Sequence, residues 1–227
     1  MPESPGALEP ESPGYLLDIG ANVGSYTLAN LEKYGRAVCV DASPYMCDAM
    51  RARLPAGRCE VVRALVSGDR APEFFVNLTA PGISTCCEYW RTGGRFAGAL
   101  YDTWERVGTG VGTGCDVMGL DGIVARFGPP AFIKIDVEGH EESVIGTLTS
   151  RVCPLAFEWA EEMLESAVNC VRRLSAIGYS AFAIQARDDY TYEPPATDFV
   201  SAGAIEASLR ASCDPGRKEL WGMIWAK

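Results

Sequence analysis

The 227-residue chain is long enough for one sizeable hydrophobic core and short of the roughly 250–300 residues at which cores divide. With 48% hydrophobic and 22% charged residues its balance is globular, and a formal net charge of −10 repels phosphate backbones, which argues against long nucleic acid as a partner. No apolar run approaches the roughly 20 residues that span a bilayer, so a cytoplasmic location is the expectation.

Residues 1–14 carry four prolines and three glutamates without a basic or apolar leader, and they read as a flexible tail. A single domain over residues 15–227 is the expected organisation. Tyr15–Ile19 reads as a short strand stopped by Gly20, followed by a helix from Tyr26 to Lys33 that Gly35 ends. Ala37–Val40 is a second strand closing on Asp41, and Pro44 opens a helix running through Met46 to Leu54. Glu60–Val66 makes a third strand, and Phe74–Leu78 an edge strand or hairpin arm. From Ala80 to Gly114 the pattern is irregular and holds eight glycines, the mark of a functional or disordered segment. A helix at Leu120–Phe127 and a buried strand at Ala131–Ile135 follow, then a helix at Glu141–Leu148 and a strand at Leu155–Phe157. Glu161–Ile177 is a longer amphipathic helix whose Glu161-Glu162 start reads as solvated. Tyr179–Gln185 and Leu220–Ala226 are the last strands, separated by a loop and a short helix. Strand–helix alternation at this spacing predicts an α/β fold, a mostly parallel sheet with helices on both faces.

The sharpest local signal is Asp18-Ile19-Gly20-Ala21-Asn22-Val23-Gly24, set between a strand and a helix. Glycines there permit a tight turn and close approach to a ligand at a helix start. A dinucleotide fingerprint would place glycine where Asn22 stands. An acid at Asp18 suits the α-ammonium group of S-adenosylmethionine (AdoMet), directly or through water, better than it suits a phosphate. Asp41, 23 residues on, can accept hydrogen bonds from both ribose hydroxyls. Ala42-Ser43 and Arg63-Ala64 are expected near the adenine, at the ends of the second and third strands. The competing reading is a strand–turn–helix in which glycine merely permits the turn.

The second signal is Ile133-Lys134-Ile135-Asp136-Val137-Glu138-Gly139-His140-Glu141-Glu142, which leaves a buried strand and enters a helix. Ligands in open α/β sheets bind at the carboxyl ends of strands, so Asp136 and Glu138 fall where cofactor and acceptor meet. Lys134 and Asp136 share a strand face and are expected to pair, because a lone buried charge is costly.

Together these segments resemble the FkbM family of methyltransferases. The resemblance rests on Leu16–Gly24, Val40–Pro44, Leu120-Asp121 and Ile133–Glu142, and more loosely on Leu174 and Gly178-Tyr179, and so spans roughly residues 15–185. It implies a Rossmann-like class I methyltransferase with a seven-stranded sheet, whose relatives mostly methylate hydroxyl oxygens, often on sugars. The Gly-rich stretch shows little that matches.

Methyl transfer to a hydroxyl requires alignment and a base, for which Asp136, Glu138, His140 and Glu158 are candidates. Asp136 and Glu158 are expected to shape the pocket, with His140, the only histidine, or Glu138 taking the proton. Against this, His140 could serve the helix start, Glu138 the helix dipole, and Lys134 the structure alone. Tyr89, Trp90 and Trp104 either stack on a sugar face or cover the core. No spacing demands a metal, although a carboxylate/histidine cluster can hold a divalent cation. Nine cysteines without a C-x-x-C pair read as reduced thiols rather than zinc ligands. Two other functions compete: an RNA ribose methyltransferase, since Lys134, Asp136 and Glu158 loosely resemble a Lys–Asp–Glu set, and a catalytically inactive binding module.

Overall fold

The computed structural model describes residues 14–69, 72–214 and 216–227. Apart from Gly14, the expected N-terminal tail lies outside the described residues.

Ten strands form. They are β1 (Leu16–Ile19), β2 (Ala37–Asp41), β3 (Cys59–Val66), β4 (Phe74–Asn77), β5 (Trp104–Val107), β6 (Asp116–Met118), β7 (Phe132–Ile135), β8 (Leu155–Ala160), β9 (Phe182–Ala186) and β10 (Trp221–Ala226). Eight of them build one sheet in the order β6-β3-β2-β1-β7-β8-β10-β9, and β4 pairs with β5 in a separate antiparallel ribbon. Every neighbouring pair in the large sheet is parallel except the two that β10 makes, with β8 and with β9. This is the Rossmann-like methyltransferase arrangement, with one strand more than the seven expected. The extra strand is β6, a three-residue edge against Ala64–Val66 that is too short to show a period in sequence.

The sheet forms because successive side chains of β1, β2 and β7 alternate between two apolar layers. Leu17, Ile19, Val38, Val40, Ile133 and Ile135 join one cluster with residues of α4 (Leu120–Phe127), α5 (Glu141–Gly146), α6 (Leu164–Ala176) and α7 (Ala202–Ser212). Leu16, Ala37, Cys39 and Phe132 join the other with residues of α1 (Ser25–Tyr34) and α2 (Pro44–Arg53). Strand order reverses between β1 and β7, because the chain fills the sheet outward from β1 in one direction and then returns to its other side. A crevice opens at the carboxyl ends of strands at such a reversal.

The Gly-rich stretch is ordered. It contains the short helix α3 (Glu88–Thr92) and then β5, and it is tied down from the far end of the chain. The Arg95 guanidinium grips Glu162 at 2.7 and 2.6 Å, and the Lys218 ammonium donates to the Gly93 carbonyl at 2.5 Å. The expected solvated start at Glu161-Glu162 is therefore wrong. Glu161 is buried and accepts from the amides of Asp214, Glu219 and Leu220, while Glu162 is enclosed by Arg95. Both carboxylates are spent joining loops, a use no local pattern announces. All nine cysteines are free, five of them buried. Among the described residues no helix is long and apolar enough to cross a membrane.

Candidate functional site

Two cavities lie at the carboxyl ends of β1, β2 and β7. The first, about 540 Å³ including its open mouth, is walled by Ala42, Met46, Ala64, Leu65, Val66 and Phe74, with Asp41 among them. The second, about 520 Å³, is lined by Ala21, Ser25, Tyr26, Lys134 and Tyr190. Gly20, Asn22, Gly82, Asp136 and Glu138 line both.

The β1–α1 turn is held against its neighbours by backbone and by side chains, Arg53 Nη1 donating to the Val23 carbonyl at 3.1 Å. The amides of Gly20 and Ala21 donate to the Val40 carbonyl at 2.9 and 3.2 Å. A Cβ on Gly20 would sit 1.7 Å from the Asp136 carbonyl oxygen, so only glycine fits there, and its φ of 72° is one only glycine adopts freely. Asn22 takes φ 51°, a left-handed conformation that Asn tolerates, and this aims its amide at Asp41. Asp41 accepts from Asn22 N at 2.9 Å through one oxygen and from Ser43 N at 2.8 Å through the other. Each oxygen keeps a free lone pair beside the cavity. Burial pushes the Asp41 carboxyl up to about 6 despite those two amides.

Of the other cofactor residues read from sequence, Ala42 and Ala64 line the first cavity and Ala21 the second. Gly24 instead starts α1 in a left-handed conformation, packed on Leu54. Ser43 is fully buried and caps α2, accepting from Met46 N at 3.4 Å. Arg63 is not among the residues lining the cavity; its guanidinium lies toward the Ala42 carbonyl and Gly114, while Ala64, Leu65 and Val66, beyond it on β3, form the wall. Asp18 is fully buried and lines neither cavity. It accepts from Thr27 Oγ1 at 2.7 Å, its other oxygen has no hydrogen-bond partner, and Lys134 Nζ lies 3.6 Å away. Asp18 thus meets the second cavity only through Lys134.

Register explains this pair. Asp18 of β1 stands opposite Lys134 of β7, and Lys134 Nζ reaches Asp136 at 3.0 Å, the pairing expected from sequence. Two carboxylates flank one ammonium, which holds the Lys134 charge firmly in place. Beyond it the acids outnumber the bases. One oxygen each from Asp136, Glu138 and Glu158 lies within 4.8 Å of the others. Burial and then the Asp136 charge push the Glu138 and Glu158 carboxyls well above the ordinary range. Glu138 sits at φ 56°, an uncommon conformation for a residue with a side chain. Trp90 Nε1 donates to its carboxylate at 3.0 Å, and Thr85 Oγ1 donates to its carbonyl at 2.6 Å.

Two catalytic candidates fall elsewhere than expected. Glu158 lies inside β8 rather than at its end, and faces a smaller cavity behind Trp90 with Trp159, Met163 and Cys170. His140 lines the first cavity and an outer groove, but not the second. Its Nε2 meets Ser67 Oγ at 3.0 Å and lies 3.6 Å from Asp69, and it gives no side-chain cap to α5. Burial lowers its imidazole pKa, which favours the neutral ring. Trp90 is buried against Glu138, Trp104 belongs to β5, and Tyr89 is exposed outside both cavities.

Sequence reasoning missed Thr27 and Thr85, which hold the acids, and Met46, Leu65, Phe74 and Gly82, which shape the first cavity; it named Trp90 only as a sugar platform or core cover, not as the donor to Glu138. Gly82, Thr85 and Trp90 come from the segment that showed no pattern, so only the folded chain brings them here.

No family model matches the chain, and no curated protein matches it. Several solved structures are similar. A precorrin-6y C5,15-methyltransferase from Geobacter metallireducens is 15% identical, with 95% of this chain and 79% of that one covered at a TM-score of 0.42. A precorrin 8w decarboxylase from Methanobacterium thermoautotrophicum is 10% identical over 96% and 83%, with a TM-score of 0.44. The plantazolicin methyltransferase BamL, solved with a triazolic desmethylPZN analog and SAH, is 8% identical over 94% and 76%, with a TM-score of 0.43. Likenesses this distant carry no argument about activity, and the fold stands on the strand order given above.

Proposed function

We propose that this chain is an AdoMet-dependent methyltransferase acting on a hydroxyl of a small acceptor such as a sugar. The observation that carries the reading is Asp41. Its carboxylate is fixed by two backbone amides at the end of β2, beside an apolar cavity sized for a nucleoside, with one lone pair per oxygen left for vicinal ribose hydroxyls. No lysine or arginine is among the described residues lining that cavity, which suits a nucleoside without phosphates better than a dinucleotide.

The residues fit AdoMet at each end. Met46, Leu65, Val66 and Phe74 offer apolar walls to adenine, and Asp41 takes the ribose. Lys134 is placed for a carboxylate and Asp136 for an ammonium or sulfonium charge. When bound, AdoMet supplies an electrophilic methyl group, and the protein supplies position and a base. Glu138 is the group we assign to the proton, since it lines both cavities and its raised affinity for protons comes from burial beside Asp136. Trp90 and Thr85 keep it aimed. Beside the room for the amino-acid arm, Asn22, Ser25, Tyr26 and Tyr190 give the second cavity hydrogen-bonding groups and two aromatic rings, a lining suited to a polyhydroxylated acceptor. The resemblance to the FkbM family points the same way. Against an RNA ribose acceptor stands the net charge of −10.

The test is calorimetric titration with AdoMet and S-adenosylhomocysteine, with NAD as control. Micromolar binding of the first two alone supports the reading, and a preference for NAD, or no binding, overturns it.

A further inference from the structure

The two cavities meet at a waist made by five residues from three segments. Gly20 and Asn22 come from the β1–α1 turn, Asp136 and Glu138 from the loop after β7, and Gly82 from the otherwise unaligned Gly-rich stretch. Gly82 is the middle residue of a short 3₁₀ turn, Pro81–Ile83. That turn is braced from below. The buried Asn77 accepts from the amides of Thr79 and Ala80 at 3.0 and 2.8 Å, and Ser84 Oγ donates to the Pro81 carbonyl at 2.6 Å. Its far end is pinned to the catalytic loop where Thr85 meets the Glu138 carbonyl.

Gly20 and Gly82 are glycine for different reasons. At Gly20 a side chain would strike backbone, so the fold itself demands glycine. At Gly82 the backbone conformation is open to any residue, and an added Cβ would meet one atom within 4 Å, the movable Asn22 Nδ2 at 2.9 Å. The fold gives weak reason for glycine here. The waist gives a strong one, because a side chain would project against Asn22 where the two cavities join.

We propose that the Pro81–Ile83 turn is a clasp over the waist, and that Gly82 is a specificity-determining residue which leaves passage for a ligand spanning both cavities, a nucleoside carrying an amino-acid arm on its sulfur. This rests on the AdoMet reading and adds to it a residue from outside the recognised motifs. A ligand confined to the first cavity, such as adenosine, does not need the passage.

The experiment compares S-adenosylhomocysteine and adenosine binding to wild type, Gly82→Ala and Gly82→Val by calorimetry, with thermal midpoints recorded for each. Homocysteine-adduct affinity is expected to fall in the order wild type, Ala, Val, by at least about tenfold at Val, with adenosine affinity held within about threefold. Equal loss of both ligands, or wild-type S-adenosylhomocysteine affinity in Gly82→Val, overturns the clasp while leaving the cofactor reading intact. Wild type that binds neither ligand removes the cofactor reading and the clasp together. Should Gly82→Val not fold, the ratio of the two affinities in Gly82→Ala decides, and an unchanged ratio overturns the proposal.

Discussion

The nucleoside end and the acid end of the crevice are built in opposite ways. At the nucleoside end one carboxylate, Asp41, is held by two backbone amides in a largely apolar cavity. At the acid end Asp18 and Asp136 flank a single ammonium, Lys134, Glu138 and Glu158 gather beside Asp136, and side chains from distant segments steady Asp18 and Glu138. Backbone amides cannot be mutated away and do not titrate, so in the first arrangement the position of the Asp41 carboxylate is fixed even though its own pKa is raised. The second is a balance of charges, and its protonation state can change when a ligand brings or removes charge. The proposed function, a receptor for one invariant cofactor beside a cluster that moves a proton, calls for this difference.

The sharpest test of the acid end is Glu138→Gln. Methyl transfer to any hydroxylated acceptor that wild type turns over is expected to fall by about 10²–10⁴-fold, the usual worth of a general base. S-adenosylhomocysteine affinity is expected to stay within about threefold, because amide and carboxylate have the same shape. A wild-type single-turnover rate would take Glu138 out of the chemistry and return Asp136 to candidacy.

Lys134→Met probes the same end through stability. It removes the one cation and leaves Asp18 buried beside Asp136 without a counter-charge. Breaking a buried pair in this way costs about 3–5 kcal/mol, to be read from chemical denaturation. A loss below about 1 kcal/mol would mean that the acids simply take up protons when Lys134 is gone.

The nucleoside end is tested by Asp41. Asp41→Ala is expected to weaken AdoMet binding by about 10–100-fold, the range for hydrogen bonds to a charged group. Its pH dependence separates binding from folding. The folded-state pKa near 6 lies above the unfolded value, so the native chain binds the extra proton between roughly pH 4 and 6, and Asp41 costs stability as pH rises through that window. Ribose hydroxyls favour the ionised form, so affinity moves the other way, weakening as pH falls below about 6 and approaching tenfold per unit. Burial also raises Asp188, near Lys134 and Asp136, to about 6. Asp41→Asn isolates the Asp41 share, and a slope that persists in that variant belongs to Asp188 or its neighbours.

How far the sequence was legible follows the same division. Gly20, Asn22 and Asp41 stand on the β1–α1 turn and at the end of β2, and local rules about glycine and strand ends point to the crevice they line; Asp18, on β1 itself, is buried outside both cavities. The Lys134–Asp136 pair is legible too, since a charge inside an apolar strand demands a partner two residues away. Trp90, Thr85 and Gly82 are not, because what makes them matter is the position of the segment from Ala80 to Gly114, and that position is set by Arg95–Glu162 and Lys218–Gly93, contacts spanning 67 and 125 residues. Arg63 and Glu158 were misplaced for a simpler reason. Arg63 stands three residues before the end of β3 rather than at it, and β8 runs on to Ala160 instead of stopping at Phe157, so Glu158 lies within the strand.

His140 is where sequence and structure pull furthest apart with the least at stake. As the only histidine, next to two acids, it was a natural candidate for the base. In the fold it belongs to the nucleoside end, bonded to Ser67 and kept neutral by burial. His140→Ala is therefore expected to weaken cofactor binding by no more than about tenfold, the worth of one neutral hydrogen bond, and to leave the pH profile of methyl transfer in place. Loss of an inflection near the ordinary histidine pKa would move the base back to His140, and the boundary between receptor and proton cluster would then have to be redrawn around it.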